Sequence, residues 1–266
     1  AHERLSSEVF SNQVTARYDF LPIYGIGVDA ARSITRSLIA RSGTRLSDVE
    51  QDTLGSQLFY KYSELLEFKF SYRYRDNQII GNSADSISVS DAIKMSGEDQ
   101  AFVVGVTGEL TSLLSGGIEL GKQRRTLNDG KGDSSSFFSN TNLIWTIRPD
   151  TTSAKIGFLS DVTPTPTNDS IHSKVFSLSV DHVFSPFLSG SVRTSYGITD
   201  FTLTPAGGGG SPPREDYAYG VGLGLTYKFN EYLANEFSCN HSWTETNSES
   251  GDFDRTTAEL SMRLKF

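Results

Sequence analysis

Strict alternation of apolar and polar side chains is the feature of this sequence that most constrains its fold. It is clearest over the last eight residues, where two sets of side chains take every second position. The sets are Leu260, Met262, Leu264 and Phe266 on one side, and Glu259, Ser261, Arg263 and Lys265 on the other. Successive side chains of a strand point to opposite faces, so this segment predicts a strand with one apolar and one charged face.

The same pattern recurs along the chain of 266 residues. Residues 66–75 alternate large apolar side chains with Glu67, Lys69, Ser71, Arg73 and Arg75. A strand that crosses a bilayer needs this contrast, because lipid contacts one face and a polar lumen the other. The pattern gives about 13 strands, with lengths that fit the about 9–11 tilted residues needed to cross a bilayer. We therefore predict an all-β fold, a single antiparallel transmembrane β-barrel of about 13–14 strands over residues 1–266.

Composition narrows the possible classes of protein. The sequence has a mean hydropathy of −0.32 and no apolar run of the about 18–20 residues that a membrane helix needs. Hydropathy does not detect barrel strands, in which only every second residue faces lipid. The net charge of −8 and the lack of a basic run argue against a nucleic-acid partner. Cys239 is the single cysteine, which excludes an internal disulfide.

The segments between the alternating runs are of two kinds, and the two kinds alternate along the chain. One kind is a short turn, as around Pro22 and Pro186. The other is long and polar, at roughly residues 42–52, 76–100, 127–135, 161–170, 204–214 and 246–252. Short turns at one end and long loops at the other are the plan of a bacterial outer-membrane barrel, with the turns in the periplasm.

Aromatic side chains precede several of the short turns. They are Phe20, Tyr62, Phe184 and Phe229, and Phe266 falls where the next would be. We interpret them as an aromatic girdle at the periplasmic membrane surface, which places the C-terminus in the periplasm. The first and last predicted strands then run in the same direction, whereas single-chain bacterial barrels have even strand numbers. We therefore expect at least one further strand, from an upstream segment or a partner.

The C-terminal third resembles a known family of outer-membrane proteins. The hairpin at residues 216–233, in which Gly220, Gly222 and Gly224 alternate with apolar residues, is similar to the repeating hairpin of the putative β-barrel porin 2 type, and so is the ending at residues 254–266. The resemblance implies a Gram-negative outer-membrane porin, and some members accompany exopolysaccharide synthesis and export. The terminal Phe266 also resembles the signal that the barrel-insertion machinery recognises.

The sequence predicts no catalytic, cofactor or metal site, and we expect no enzyme. None of the four histidines stands at a recognisable spacing from a nucleophile or an Asp. Asp48, Glu50 and Asp52 have an alternate spacing that can hold calcium, but the Gly and the distal Glu of a calcium loop are missing.

Charged side chains on the non-apolar register are the predicted lumen lining. They are Arg17, Asp29, Glu67, Lys69, Arg73, Arg75, Glu119, Arg148, Asp181, Arg193, Lys228, Glu236, Glu259, Arg263 and Lys265. Two interpretations follow. The first is a water-filled channel for small polar solutes or an exported exopolysaccharide, in which the excess of inward Arg and Lys favours anions. The second is a non-conducting structural barrel, filled by salt bridges, that anchors or surrounds a partner.

The predicted partners follow from this location. They are outer-membrane lipids, the barrel-insertion machinery during biogenesis, and a polysaccharide or other subunits of an export complex.

Overall fold

The computed structural model describes residues 7–37, 48–80, 96–128, 134–163, 170–202, 214–247 and 252–264. These residues form one antiparallel sheet of thirteen strands, each paired with its neighbours in the sequence. The strands are β1 (Ser7–Leu21), β2 (Tyr24–Ser37), β3 (Asp48–Lys61), β4 (Leu66–Ile80), β5 (Gly97–Thr111), β6 (Leu114–Leu127), β7 (Ser134–Arg148), β8 (Thr152–Thr163), β9 (Ser170–Ser185), β10 (Leu188–Thr202), β11 (Arg214–Lys228), β12 (Leu233–Thr246) and β13 (Phe253–Leu264). Within these ranges, no helix is long and apolar enough to cross a membrane. The predicted all-β antiparallel architecture is confirmed.

The strands are longer than the alternation predicted. Residues 48–52, 76–80 and 97–100 were assigned to long loops because they are polar, but they belong to β3, β4 and β5. Their amide and carboxyl groups bond across the strands: Gln51 Nε2 donates to Asn77 Oδ1 at 2.8 Å, and Asn77 Nδ2 donates to Asp99 Oδ2 at 2.7 Å. A strand that continues past the bilayer no longer needs lipid-facing side chains, so apolar alternation stops before the strand does. The centres of the predicted long loops lie outside the described residues.

The short turns are shaped by their own polar side chains. In the β11–β12 turn, Asn230 Oδ1 accepts hydrogen bonds from the main-chain N–H groups of Tyr232 and Leu233, both at 2.9 Å. In the β9–β10 turn, Ser185 Oγ accepts from the N–H groups of Phe187 and Leu188. These Asx- and Ser-type turns fix the chain reversal locally, as expected where two long strands follow each other closely.

Two glycines face each other just above the β5–β6 turn. Gly108 and Gly116 are direct cross-strand partners and have φ values of 131° and 135°. A Cβ on Gly108 would collide with the main-chain carbonyl of Leu65 on the adjoining turn. The backbones approach too closely there for any side chain, so glycine is required.

Burial is inverted relative to a water-soluble protein. Directly paired residues point to the same side, so the ladder assigns Asn77, Asp99 and Arg125 to one face, and these side chains are at most 2 % exposed. We call this the inner face. The opposite, outer face carries Leu260 and Val14, which are 74 % and 71 % exposed. A sheet with a buried polar face and an exposed apolar face is suited to lipid.

The two edge strands run in the same direction. Every neighbouring pair is antiparallel, so β1 and β13, at the two ends of the thirteen-strand order, are parallel to each other. Among the described residues, β1 pairs with β2 and β13 pairs with β12, and no ladder joins the two edges. The further strand expected from the sequence stays a prediction.

Candidate functional site on the inner face

The predicted lumen residues share the inner face. One row of cross-strand partners runs from Arg17 through Gly27, Gln57, Ser71, Val103 and Gly121 to Phe138. Rows parallel to it contain the predicted residues Asp29, Glu67, Lys69, Arg73, Arg75, Glu119, Asp181, Arg193, Lys228, Glu236, Glu259 and Arg263. Arg148 follows a register shift at the end of β7 and lies at the rim of this face. Lys265 lies outside the described residues.

Close to the short turns, the inner face of β1–β4 carries a network of ion pairs. Arg17 contacts Asp19 at 3.0 Å and Glu67 at 2.7 Å, and Lys61 Nζ lies 2.9 Å from Asp19 Oδ2. The Arg17 guanidinium also covers the ring of Phe59, 4.1 Å from its centroid. Since Arg17 is on β1 and Glu67 on β4, the sheet must be concave on this side for the two charges to meet.

Farther from the turns, Lys69 on β4 pairs with Glu119 on β6. The other Glu119 oxygen accepts a hydrogen bond from Asn140 Nδ2 on β7 at 3.3 Å. A cavity of about 300 Å³ lies on the inner face beside these groups, with Arg73 and Phe138 among its lining residues. The Arg73 guanidinium stands 4.9 Å from the centroid of the Phe138 ring.

At the end remote from the short turns, side chains meet from strands far apart in the sheet. Arg75 Nη2 on β4 lies 3.2 Å from Asp161 Oδ1 on β8, and Arg73 Nη2 lies 3.6 Å from the same oxygen. Gln123 Nε2 on β6 donates to the carbonyl of Val162 at 3.2 Å. These contacts fill the space between β4 and β8 with polar side chains, an arrangement that salt bridges and amide hydrogen bonds make tolerable in a protected interior.

The other half of the inner face is open and has small side chains. Ser179, Arg193, Gly222 and Asn240 lie in one row of partners across β9–β12. Arg193 borders two cavities of about 710 and 730 Å³, which extend over β7–β12. Acidic groups nearby are engaged, since Asp181 lies 3.2 Å from Lys155 Nζ and Glu236 lies 2.7 Å from Arg263 Nη2. The inner face therefore has a bulky, ion-paired wall and a small-residue wall.

The outer face carries aromatic side chains at both ends of its apolar zone. Phe20, Tyr62, Phe184 and Phe229 beside the short turns are between 47 % and 67 % exposed. Tyr24 stacks on Phe20 with ring centroids 6.4 Å apart, and its ring is tilted by 31° against that of Tyr60 at a centroid distance of 5.3 Å. Phe266 lies outside the described residues. The predicted girdle residues thus occupy lipid-accessible positions, and their contact with the periplasmic interface stays a prediction.

A second aromatic group at the opposite end was missed from the sequence. Tyr196, Tyr219 and Trp243 stand side by side on the outer face of β10, β11 and β12, with centroid distances of 5.2 and 5.1 Å. Tyr232 lies in the β11–β12 turn near the girdle residue Phe229. From Tyr232 to Trp243 the chain covers about 36 Å of strand, or about 28 Å along the membrane normal at a tilt of about 40°. An apolar band of about 25 Å fits between two such girdles. The signal in the sequence was a Tyr or Trp on the apolar register near the long-loop end of β10, β11 and β12.

One comparison decides the family. Residues 85–266 match the family model described as "Putative beta-barrel porin 2", which is more than half of the chain. The chain belongs to this porin family. The match includes the β11–β12 hairpin and β13, whose residues carried the resemblance in the sequence. No curated protein matches the chain.

Solved outer-membrane barrels have a similar fold. The copper transporter OprC superposes with a TM-score of 0.59 at 10% identity over 99% of this chain and 50% of its own. The ferric yersiniabactin uptake receptor FyuA from Yersinia pestis gives 0.54 at 10% identity over 98% and 47%. The FrpB iron transporter from Neisseria meningitidis gives 0.54 at 12% over 94% and 48%. The chain spans about half the length of these structures, and at such identities the similarity concerns the fold alone.

In this member of the porin family, three side chains are arranged like a hydrolytic triad, with a serine hydroxyl beside a histidine and the histidine near an aspartate. Ser160 Oγ lies 3.2 Å from His172 Nε2, and His172 Nδ1 lies 3.9 Å from Asp200 Oδ2. Ser160 is only 2 % exposed, however, and its hydroxyl donates to the carbonyl of Phe137 at 2.9 Å. A nucleophile must be within reach of a substrate. The geometry favours a structural contact that ties β7, β8 and β9 together.

The acidic residues considered for calcium are also engaged. Arg32 on β2 lies 2.8 Å from Glu50 and 3.7 Å from Asp52 on the neighbouring strand. Within the described ranges, no group of three or more His, Cys, Asp or Glu side chains is placed to hold a metal ion. The inner face is therefore the candidate site that we carry forward.

Proposed function

We propose that this chain lines a passive outer-membrane conduit for small polar solutes, with a preference for anions. The observation that carries the proposal is the asymmetry of the inner face. Small side chains on β9–β12, such as Ser179 and Gly222, leave cavities of several hundred Å³ along one wall. A lumen intended only for structural packing would be filled on all sides, as in eight-stranded barrels.

The anion preference rests on which charges along the open wall lack a partner. Arg193 borders both large cavities, and no ion pair joins it to another described residue. Asp181 and Glu236 are neutralised by Lys155 and Arg263. An unpaired guanidinium beside an aqueous path attracts anions and repels cations, and lumen charges of this kind set selectivity in pores. Asp150 lies in the turn at the mouth of the cavity of about 710 Å³ and opposes this effect there.

Orientation and assembly are part of the proposal. We place the short turns and the C-terminus in the periplasm, in keeping with the short-turn and long-loop plan of bacterial barrels. The chain would then contact outer-membrane lipids through its exposed apolar face and would need the barrel-insertion machinery. Export of an exopolysaccharide with other subunits is the alternative cargo. We expect no catalysis.

A non-conducting structural barrel is the second candidate. The ion-paired and buried wall formed by β1–β8 favours it, because Arg17, Lys69 and Arg75 all reach across that part of the sheet. In that case the barrel would anchor or surround a partner.

Planar-bilayer recording separates the two candidates. We expect stable open steps from the purified full chain, and a lower conductance when Gly222→Phe introduces a ring into the small-residue wall. Val221→Phe is the matched control, because Val221 is the neighbouring residue on the outer face and is 44 % exposed. A folded protein that inserts but stays silent would contradict the conduit. Equal conductance for the two Phe variants would contradict the proposed path along β9–β12.

A further inference from the structure

We propose that the end of the β8–β9 hairpin is a constriction element, held across the lumen by a polar clasp from β4 and β6. The clasp consists of Arg75, Gln123, Asp161 and the carbonyl of Val162. In this proposal it determines the size of solute that passes at the end remote from the short turns. The inference deepens the proposed conduit and rests on it for its effect on transport, but the clasp itself can be tested without conduction.

The first observation is a seam in the sheet. The β7–β8 ladder ends at Ser139 and Ser160. Beyond that point β8 stays paired with β9 through Thr163, and β7 stays paired with β6 back to Ser134. The hairpin end has therefore parted from β7 on one side, while on the other side β9 stays paired with β10 as far as Ser170 and Thr202.

The second observation is what holds this hairpin end. Arg75 Nη2 donates to Asp161 Oδ1 and to the carbonyl of Val162, each at 3.2 Å. Gln123 Nε2 donates to the same carbonyl at 3.2 Å. Asp161 Oδ1 also accepts from the main-chain N–H of Val162 at 2.8 Å, which fixes the carboxylate. Three strands separate β4 from β8, so these contacts pull the hairpin end inward over the lumen.

The third observation is that the clasp is incompletely satisfied. Within the described residues, Gln123 Oε1 and Arg75 Nε are buried and have no protein hydrogen-bond partner, and Arg75 Nε stands 3.7 Å from Asp99 Oδ2. Release of the hairpin would expose these atoms to water, which would satisfy them and offset part of the lost bonding. A clasp with charged contacts and unsatisfied polar atoms is therefore suited to two states, one closed and one open.

The test compares two carboxylates of the same hairpin. Asp161→Asn weakens the charged contact to Arg75, whereas Asp181→Asn removes an inner-face carboxylate whose partner, Lys155, is on the adjacent strand of the hairpin. Gln123→Ala is a second way to weaken the clasp, without a change of charge. The readouts are single-channel dwell times, the size limit for neutral polyethylene glycols, and hydrogen–deuterium exchange of residues 161–163. Neutral polymers make the size limit independent of lumen charge.

We expect Asp161→Asn and Gln123→Ala to lower the closed-to-open ratio about tenfold, as the loss of one charge-assisted or buried hydrogen bond allows. Both should raise the polymer size limit and speed exchange at residues 161–163, whereas Asp181→Asn should leave that exchange unchanged. Equal effects of the two Asp variants, or unchanged exchange in both clasp variants, would overturn the proposal. Faster exchange in a barrel that never conducts would support the clasp and contradict the conduit. A barrel that conducts equally well with and without the clasp variants would support the conduit and contradict the constriction.

Discussion

Arg75 Nη2 on β4 lies 3.2 Å from the carbonyl oxygen of Val162 on β8, although three strands separate β4 from β8 in the sheet. This contact, with those of Arg73 and Gln123 beside it, shows how tightly the sheet curls from β4 to β8. The curl encloses polar groups that would otherwise face the lumen. The opposite wall, with Arg193 among small residues, remains open.

Arg75→Ala should destabilise the protein by about 3 kcal/mol, because it removes a buried guanidinium that contacts the carboxylates of Asp99 and Asp161. Urea unfolding in lipid vesicles would measure the loss. The double variant Arg75→Ala with Asp99→Ala should recover part of the stability, since it also removes the buried Asp99 carboxylate. Additive losses in the double variant would show that the two groups are not coupled.

Gly108→Ala should destabilise the protein by about 1–3 kcal/mol, because Ala at a φ of 131° is strained and its Cβ meets the Leu65 carbonyl. Gly197→Ala is the control. A Cβ at Gly197 would find its nearest neighbours at 3.7 Å, an ordinary contact, and we expect a change within about 0.5 kcal/mol. The temperature at which each variant loses its folded band in SDS gel electrophoresis would rank their stabilities. A reversed ranking would refute this account of the turn.

Arg193→Gln should lower the preference for anions over cations. A unit charge about 7 Å from a passing ion in water is worth about 0.6 kcal/mol, or about a threefold change in the permeability ratio. Reversal potentials under a salt gradient would measure it. Arg193→Lys keeps the charge and should keep the preference, so a loss in both variants would point to side-chain shape and not to charge.

The two tryptophans should lie near opposite surfaces of the bilayer. Trp145 lies on the outer face close to the β7–β8 turn, and Trp243 lies in the aromatic group at the far end of β12. With Trp145→Phe and Trp243→Phe as single-tryptophan variants, lipids brominated near the headgroup should quench both residues more strongly than lipids brominated near the chain end. No quenching of either residue would mean that the outer face does not contact lipid.

Alternation was enough to predict the strands and the faces of the sheet, because one-residue register changes would expose every charged side chain to lipid. It failed at the strand ends. Asn77, Asp99 and Asp161 were assigned to loops, since polar sequence without apolar partners looks like a loop. Ala101 and Val103 lie on the inner face of β5. Continuing their alternation two residues towards the N-terminus would have placed Asp99 on the same face. The meeting of β4 with β8 depends on sheet curvature, which no local pattern encodes.

The Gly and Ser positions on β9–β12 have a consequence for how such a protein can diversify. A Cβ at Gly220, Gly222 or Gly224 would first meet the end of a movable side chain, namely Ser195, Asn240 or Ser191. Bulk can therefore be added there without reorganising the backbone. In the proposed conduit, the width of the passage would then be adjustable by single exchanges, so chains with the same architecture would admit molecules of different size.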